Sequence, residues 1–411
     1  MDTTLPGTPY SPTGAHREDP YSFYAMARAT EPVFFSPQLQ MWCVTRHADV
    51  TAILADPESF SSRNAIPDYA ELGPEVQAAL RGYRQPKALL NMDRPEHTTL
   101  RRMVMQVFSP RRIAAMEPAV REVTAAVVDE FAADGHADMA VQLAYPLPLT
   151  VIFRLLGVPA EDMSLLQQWT GDMKQLIFAG SRLPTARQVQ LARNMVAYQQ
   201  YVEDLATERD AARGEDIVSY LIEATDEDGN ARLSLFEVAD MTHTLVIAGH
   251  ETFANAFGNI LHQLLAEPPR WRAICADPGL IEAAVEEGLR ADSGVNGVIR
   301  TATRPVTVCG TRLPAGARLF LLLGSANTDE RCYPDPGQFQ LDRSGQPAHL
   351  AFGRGIHHCV GAPLARLEAK IALEVLTERF PSMRLATGAH LQHIPVPLFR
   401  GFTSLPVAWD T

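Results

Sequence analysis

Apolar positions along this chain change their period, and the changes divide it. From Pro32 to Thr45 they form short β-rich stretches, Val33-Phe34-Phe35 and Met41-Trp42-Cys43-Val44-Thr45. Helical periodicity then dominates to about Leu289. Residues 299–324 return to strand character, with Pro305, Gly310, Pro314 and Gly316 as turn punctuation. Residues 325–358 are rich in Pro, Asp and Gly and predict irregular chain. A second long helical pattern runs from about Ala362 to Phe380, and the tail from Met383 reads as short strands and turns. Residues 1–18 carry neither period and read as a loose arm. With no internal repeat or linker, the pattern predicts one domain over 1–411, mainly α with small β-sheets.

The longest periodic segment has its own start and stop. Ser234-Leu235-Phe236-Glu237 reads as a capping box, and Pro268-Pro269 ends the pattern that continues to about Glu267. A helix of about 32 residues is roughly 50 Å long. It must cross most of a globule, so its middle should be buried. That middle reads Ala248-Gly249-His250-Glu251-Thr252. Gly249 weakens the helix, and the Thr252 hydroxyl can bond back to a carbonyl one turn earlier, which bends or opens the ladder. A kink with a packed Thr and a solvated Glu would read the same way.

Composition narrows the classes. With 46% hydrophobic residues the chain has ample material for a core, and a net charge of −12 argues against general nucleic-acid binding. The start of the chain, polar and Pro-rich, has no signal-peptide pattern, and no apolar run approaches a membrane span. The cysteines (Cys43, Cys275, Cys309, Cys332, Cys359) are few and scattered, which fits a reducing cytoplasm better than a disulfide framework.

The chemistry concentrates in Phe352-Gly353-Arg354-Gly355-Ile356-His357-His358-Cys359-Val360-Gly361. The run sets one cysteine at the end of a glycine-punctuated loop, directly before the helix from Ala362. Helix N-terminal N–H groups stabilise a thiolate there, and the glycines permit close backbone approach to a large flat ligand. A small buried cysteine or a His-His-Cys zinc site are the rival readings, but no second pair with zinc spacing lies near. The Phe-Gly-x-Gly-x-x-x-Cys-x-Gly spacing resembles the haem-binding loop of the cytochromes P450, and Ala248-Gly249-His250-Glu251-Thr252 is similar to that family's Ala-Gly-x-Glu/Asp-Thr segment. The resemblance runs from about Asp19 to the C-terminus.

That resemblance implies the cytochrome P450 fold, with the long helix over a haem b and the cysteine loop beneath it. Cys359 would be the axial iron ligand. Phe352, Gly353, Gly361, Ala248 and Gly249 would flank the cofactor. Thr252 would hydrogen-bond the reacting dioxygen and Glu251 would relay protons from solvent; His250 is expected to pack. The two propionates of the haem need cations or donors, and His97, Arg101, Arg300 and His357 lie at family positions. His97 and Arg101 fall at i and i+4 of a helix that Asp93 should cap. Glu287 and Arg290 match the family's buried Glu-x-x-Arg pair. Its usual third partner, an arginine, is replaced by Gln338, and Arg343 is the nearest substitute. Gly288 and Ala291 are smaller than is usual in the family and predict local repacking.

The same resemblance implies a monooxygenase that inserts one oxygen atom from O2 into a small organic substrate. Its electrons would come from a separate ferredoxin and ferredoxin reductase, since the chain carries no flavin or dinucleotide fingerprint. Arg102, Arg111, Arg112, Arg354, Arg366 and Lys370 should form the docking patch. Family position assigns the substrate pocket to the loop from Ile66 to Leu90, Leu245, Ala248, Val295, Asn296, Val298, Ile299, Leu398 and Phe399. Most are apolar, so an apolar substrate is expected, although core packing gives the same pattern. Residues 164–200, with a break at Gly180-Ser181, correspond to a mobile lid in similar proteins. An atypical oxidation on the same fold, a non-catalytic haem-thiolate sensor and a structural metal protein are the rivals. The Glu251-Thr252 pair speaks against a sensor, which has no need to protonate reduced oxygen.

Overall fold

A computed structural model describes residues 9–66, 72–86, 89–179, 182–226, 229 and 232–411. Its helices are α1 (Tyr21–Thr30), α2 (His47–Ala55), α3 (Pro74–Ala79), α4 (Glu96–Val107), α5 (Pro110–Asp129), α6 (Pro146–Leu155), α7 (Met163–Ala179), α8 (Thr185–Ala211), α9 (Ile217–Glu223), α10 (Leu235–Leu265), α11 (Pro268–Ala276), α12 (Ile281–Ala291), α13 (Leu323–Ala326) and α14 (Ala362–Arg379). The strands are β1 (Val33–Ser36), β2 (Met41–Val44), β3 (Phe60–Ser61), β4 (His136–Asp138), β5 (Gly297–Ala302), β6 (Val306–Val308), β7 (Thr311–Leu313), β8 (Arg318–Leu322), β9 (Arg384–Leu385) and β10 (Pro406–Ala408). The helical stretch, the return to strands near residue 300 and the helix after Cys359 all follow the periodicity. The parts of the 66–90 loop and of the lid break that fall on 67–71, 87–88 and 180–181 lie outside the described residues.

The chain forms two compact units, one of residues 1–65, 120–148 and 251–411, the other of 66–119 and 149–250. The first holds the sheets. The largest has the order β1-β2-β8-β5-β3, with β5 and β8 antiparallel and Arg300 opposite Leu319. Val33, Val44, Leu319, Leu321 and Leu323 form part of its core on one side, and Phe34, Cys43, Ile299, Phe320 and Leu322 on the other. This is the alternation that a sheet buried on both faces requires. The second unit is helical among the described residues, and α7, α8, α9 and α3 pack as neighbours within it.

Two local expectations change. The N-terminal arm is not loose from Tyr10 onward: Tyr10 is 2% exposed, its ring stacks on Phe23 at 5.1 Å, and its hydroxyl pairs with that of Tyr24 at 3.1 Å. Burial of one aromatic ring outweighs the local lack of secondary structure; residues 1–8 lie outside the described residues. The start of α4 also differs. Pro95 is its N-cap with no side-chain cap bond, and Asp93 contributes its backbone carbonyl, which accepts from His97 N at 3.0 Å. The capping box of α10 is formed as expected, Ser234 N donating to Glu237 at 2.9 Å and Glu237 N to Ser234 Oγ at 3.3 Å.

Candidate active site

The cysteine loop is built by backbone turns in the first unit. Gly353 N donates to Leu350 O at 2.8 Å, His358 N to Gly355 O at 3.1 Å, and Cys359 N to Phe352 O at 2.9 Å. Gly355 has φ +73°, and any Cβ there would overlap the Leu54 carbonyl oxygen, so both conformation and space demand glycine. Cys359 is exposed and lies two residues before Gly361, the N-cap of α14. The Phe352 ring lies 4.5 Å beneath the Arg366 guanidinium.

Behind the loop stands a buried ion cluster. Glu287 and Arg290 are 4% and 3% exposed, and Arg290 Nε and Nη2 reach the two Glu287 oxygens at 2.7 and 2.7 Å. Arg343 Nε donates to the same oxygens at 3.0 and 2.9 Å, and Gln340 N adds a bond of 2.9 Å. A buried carboxylate needs this many donors. Gln338 takes part through its carbonyl, which accepts from Arg343 Nη2 at 2.6 Å. From the cluster, Arg290 Nη1 donates to Asn327 O at 2.9 Å, and Asn327 Oδ1 accepts from Leu350 N at 2.6 Å. Asn327 thus ties the cluster to the start of the cysteine loop. An isolated Asn in irregular chain gives no sequence signal of that role.

Helix α10 runs unbroken through the Ala248–Thr252 motif. Ala248 and Gly249 are exposed while Val246 and His250 beside them are buried, and a Cβ at Gly249 would meet nothing within 4 Å. Glu251 and Thr252 are half-buried at the point where α10 enters the first unit. Tyr145 stands near Glu251; burial first, and then that carboxylate's charge, push its hydroxyl pKa upward. The two are 106 positions apart, so sequence reasoning had no means to pair them.

The cationic candidates are distributed over both units. Arg300 is 7% exposed on β5, with Nη1 donating to Ile299 O at 2.7 Å. His357 is half-buried in the cysteine loop. In the second unit, His97 is 1% exposed and Arg101 half-buried on α4.

Among the pocket candidates, two are engaged in the core of the first unit. Ile299 is 3% exposed and belongs to the core with Phe320 and Tyr24, on the β5 face opposite Val298 and Arg300. Asn296 is 7% exposed and spent on structure: its Oδ1 accepts from Tyr24 at 2.8 Å and its Nδ2 donates to Pro397 O at 3.1 Å. Val295, Val298 and Phe399 are half-buried in the first unit; Leu398 packs against the Ile299 core. In the second, Leu245 is half-buried, and Ile66 and Leu90 are 41% and 42% exposed.

Several of the expected docking residues already have partners. Arg366 makes a two-point pair with Glu286 at 2.6 and 2.9 Å, and Lys370 reaches Glu282 at 2.5 Å. Burial raises the Glu286 pKa, but hydrogen bonds from His349 and Arg366 outweigh it and bring it to about 2. Arg112 stacks on the Tyr220 ring at 3.8 Å, while Arg102, Arg111 and Arg354 are exposed. Sequence reasoning also passed over Glu368 on α14. It is buried with one carboxylate oxygen lacking a partner, and desolvation pushes its pKa up to about 8.

Comparison with known proteins decides the family. The cytochrome P450 sequence profile matches residues 34–275 and 278–386. The chain belongs to the cytochrome P450 family. It is 38% identical over 399 residues to the cytochrome P450 monooxygenase PikC of Streptomyces venezuelae, covering 95% of this chain and 91% of PikC. It is 36% identical to the mycinamicin IV hydroxylase/epoxidase of Micromonospora griseorubida, covering 94% of each. The P450 haem domain of Tepidiphilus thermophilus superposes with a TM-score of 0.89 at 34% identity, over 98% of this chain and 96% of that one. As a cytochrome P450 this chain is an oxidoreductase of the monooxygenase class, and the family uses haem b and O2. Within the first unit the residues present fit that cofactor: an exposed cysteine held by glycine turns and a buried arginine on β5. Among the described residues, no helix is long and apolar enough to cross a membrane.

Proposed function

We propose that this P450 inserts one oxygen atom from O2 into a mostly apolar small organic substrate, by hydroxylation or epoxidation, with electrons from a separate ferredoxin and ferredoxin reductase. The observation that carries the reading is the exposed Cys359 thiol on its glycine-shaped loop at the start of α14. Cys359 would ligate the iron. His97, Arg101, Arg300 and His357 would hold the propionates, and Phe352, Gly353, Gly361, Ala248 and Gly249 would lie beside the ring.

The haem, when bound, supplies the two-electron reduction of O2 and the transfer of one oxygen atom, with the other leaving as water. The protein's own residues do the rest. Cys359, as thiolate, donates electron density. Glu251 moves protons inward from solvent, and the Thr252 hydroxyl holds one at the reacting oxygen. The apolar candidates Leu90, Leu245, Ala248, Val295, Val298 and Phe399 favour an apolar substrate and exclude water. The hydroxylase/epoxidase relative supports the reaction type. The few, scattered cysteines, none in a disulfide among the described residues, suit a cytoplasmic location.

Turnover with a surrogate ferredoxin system tests the reading, with substrates found by titrating the purified protein against a compound panel and following the haem band. A ferrous carbonyl spectrum of imidazole type, or no oxygenated product from any compound that shifts the band, would refute it.

A further inference from the structure

Between α12 and β5 the chain crosses α10 at Gly294, which is buried. A side chain has no room at this crossing. Its Cβ would lie 2.5 Å from Ala256 N, 2.8 Å from Ala256 Cα and 2.8 Å from Thr252 O. Thr252 O and Ala256 N are four residues apart, acceptor and donor of one rung of the helix ladder. The backbone at 294 therefore rests on the rung that starts at Thr252. The neighbours are backbone atoms, which cannot rotate aside as a side chain can, so an added methyl group must displace the helix turn or the crossing segment.

The crossing segment is itself fixed on every side. Asn259 Nδ2 donates to Asp292 O at 3.1 Å and to Arg400 O at 2.9 Å, and Arg400 N donates to Gly294 O at 3.0 Å. The Asp292 carboxylate accepts from Arg400 Nε at 2.8 Å and from the Tyr21 hydroxyl at 2.7 Å. Ser293 Oγ donates to Leu289 O at 2.9 Å and accepts from Asn327 Nδ2 at 2.8 Å. Asn327 is the residue that ties the Glu287 cluster to the cysteine loop. One continuous set of hydrogen bonds thus runs from the cysteine loop to the segment on which Thr252's turn is seated.

We propose that Gly294 is a positioning residue for Thr252: its missing side chain sets the height of the α10 turn that carries the Glu251–Thr252 pair. The inference rests on the reading of Thr252 as the residue that holds a proton at the reacting oxygen.

The test is Gly294→Ala, alone and combined with Thr252→Ala, in the haem-loaded protein. In Gly294→Ala, amide exchange at Ala256 accelerates about tenfold, while haem content and the thiolate-type ferrous carbonyl spectrum stay as in the wild type. Product per reductant consumed falls about threefold, with peroxide rising to match, as expected for a small misplacement of a reacting group. The double variant is no less coupled than Thr252→Ala alone. Gly288→Ala with Ile260→Ala, which perturbs and relieves a neighbouring helix contact, stays coupled. If Thr252→Ala couples like the wild type, the underlying reading fails and this inference with it. If Thr252→Ala uncouples but Gly294→Ala does not, the inference alone fails. It fails equally if the two effects multiply in the double variant or if the Gly288 control uncouples as much. Should Gly294→Ala not fold, Asn259→Ala loosens the same crossing without adding an atom. Uncoupling with faster Ala256 exchange is then expected, and tight coupling overturns the proposal.

Discussion

Arg343 Nε meets both carboxylate oxygens of Glu287, at 3.0 and 2.9 Å, from 56 residues further along the chain. The contact makes Glu287 the shared acceptor of two guanidinium groups and anchors irregular chain ahead of the cysteine loop. Arg343→Met leaves a buried carboxylate with one cation instead of two and a cavity beside it. Breaking such a cluster costs about 3 kcal/mol. A lower urea midpoint and a reduced haem-to-protein ratio are expected, with Arg343→Lys only partly restoring both because an ammonium lacks the planar fork. Unchanged stability in Arg343→Met would show the contact to be incidental.

Cys359→Ser replaces a soft thiolate with a weakly donating hydroxyl. The red-shifted ferrous carbonyl band should disappear and turnover fall by more than about a hundredfold. Retained band and activity would assign the ligand elsewhere.

Thr252→Ala removes the hydroxyl from α10 but leaves the helix itself. Reductant consumption should continue while product falls and peroxide accumulates, by about tenfold in the product-to-peroxide ratio. The measurement is a paired assay of both species under saturating electron supply.

Glu368 gives a pH signature. Its folded-state pKa is raised to about 8 by burial, above the usual carboxylate value. Between those two values the folded state holds a proton that the unfolded state has lost. Stability therefore falls as pH rises through that window and levels off above about 8. Glu368→Gln should flatten this decline and melt higher than the wild type at pH near 8. Parallel melting curves against pH for the two proteins would contradict the assignment.

Arg354 offers the cleaner docking probe. Arg366 and Lys370 are already paired with Glu286 and Glu282, so reversing either changes the scaffold as well as the surface. Exposed Arg354 lies in the cysteine loop itself. Arg354→Glu should raise the ferredoxin concentration for half-maximal turnover about fivefold at low salt and less at high salt. No shift at low salt would move the docking face elsewhere.

The sequence by itself determined the elements and the chemistry that depends on local order. Periodicity marks α10 and α14, Ser234 and Glu237 mark the start of α10, and the glycine spacing around Cys359 marks a tight turn. Each is set by contacts within a few residues, so each is written in neighbouring letters. Only the tertiary structure decided which distant groups meet. It turned Ile299 into the core and Arg300 to the other face, because a strand alternates and the sheet is buried on both sides. It consumed Asn296 in bonds to Tyr24 and Pro397, seated Tyr10 in the core, joined Arg343 to Glu287, and laid Gly294 on the rung between Thr252 and Ala256. These outcomes depend on close packing between segments tens to hundreds of residues apart, and no local pattern encodes which backbone will press against which.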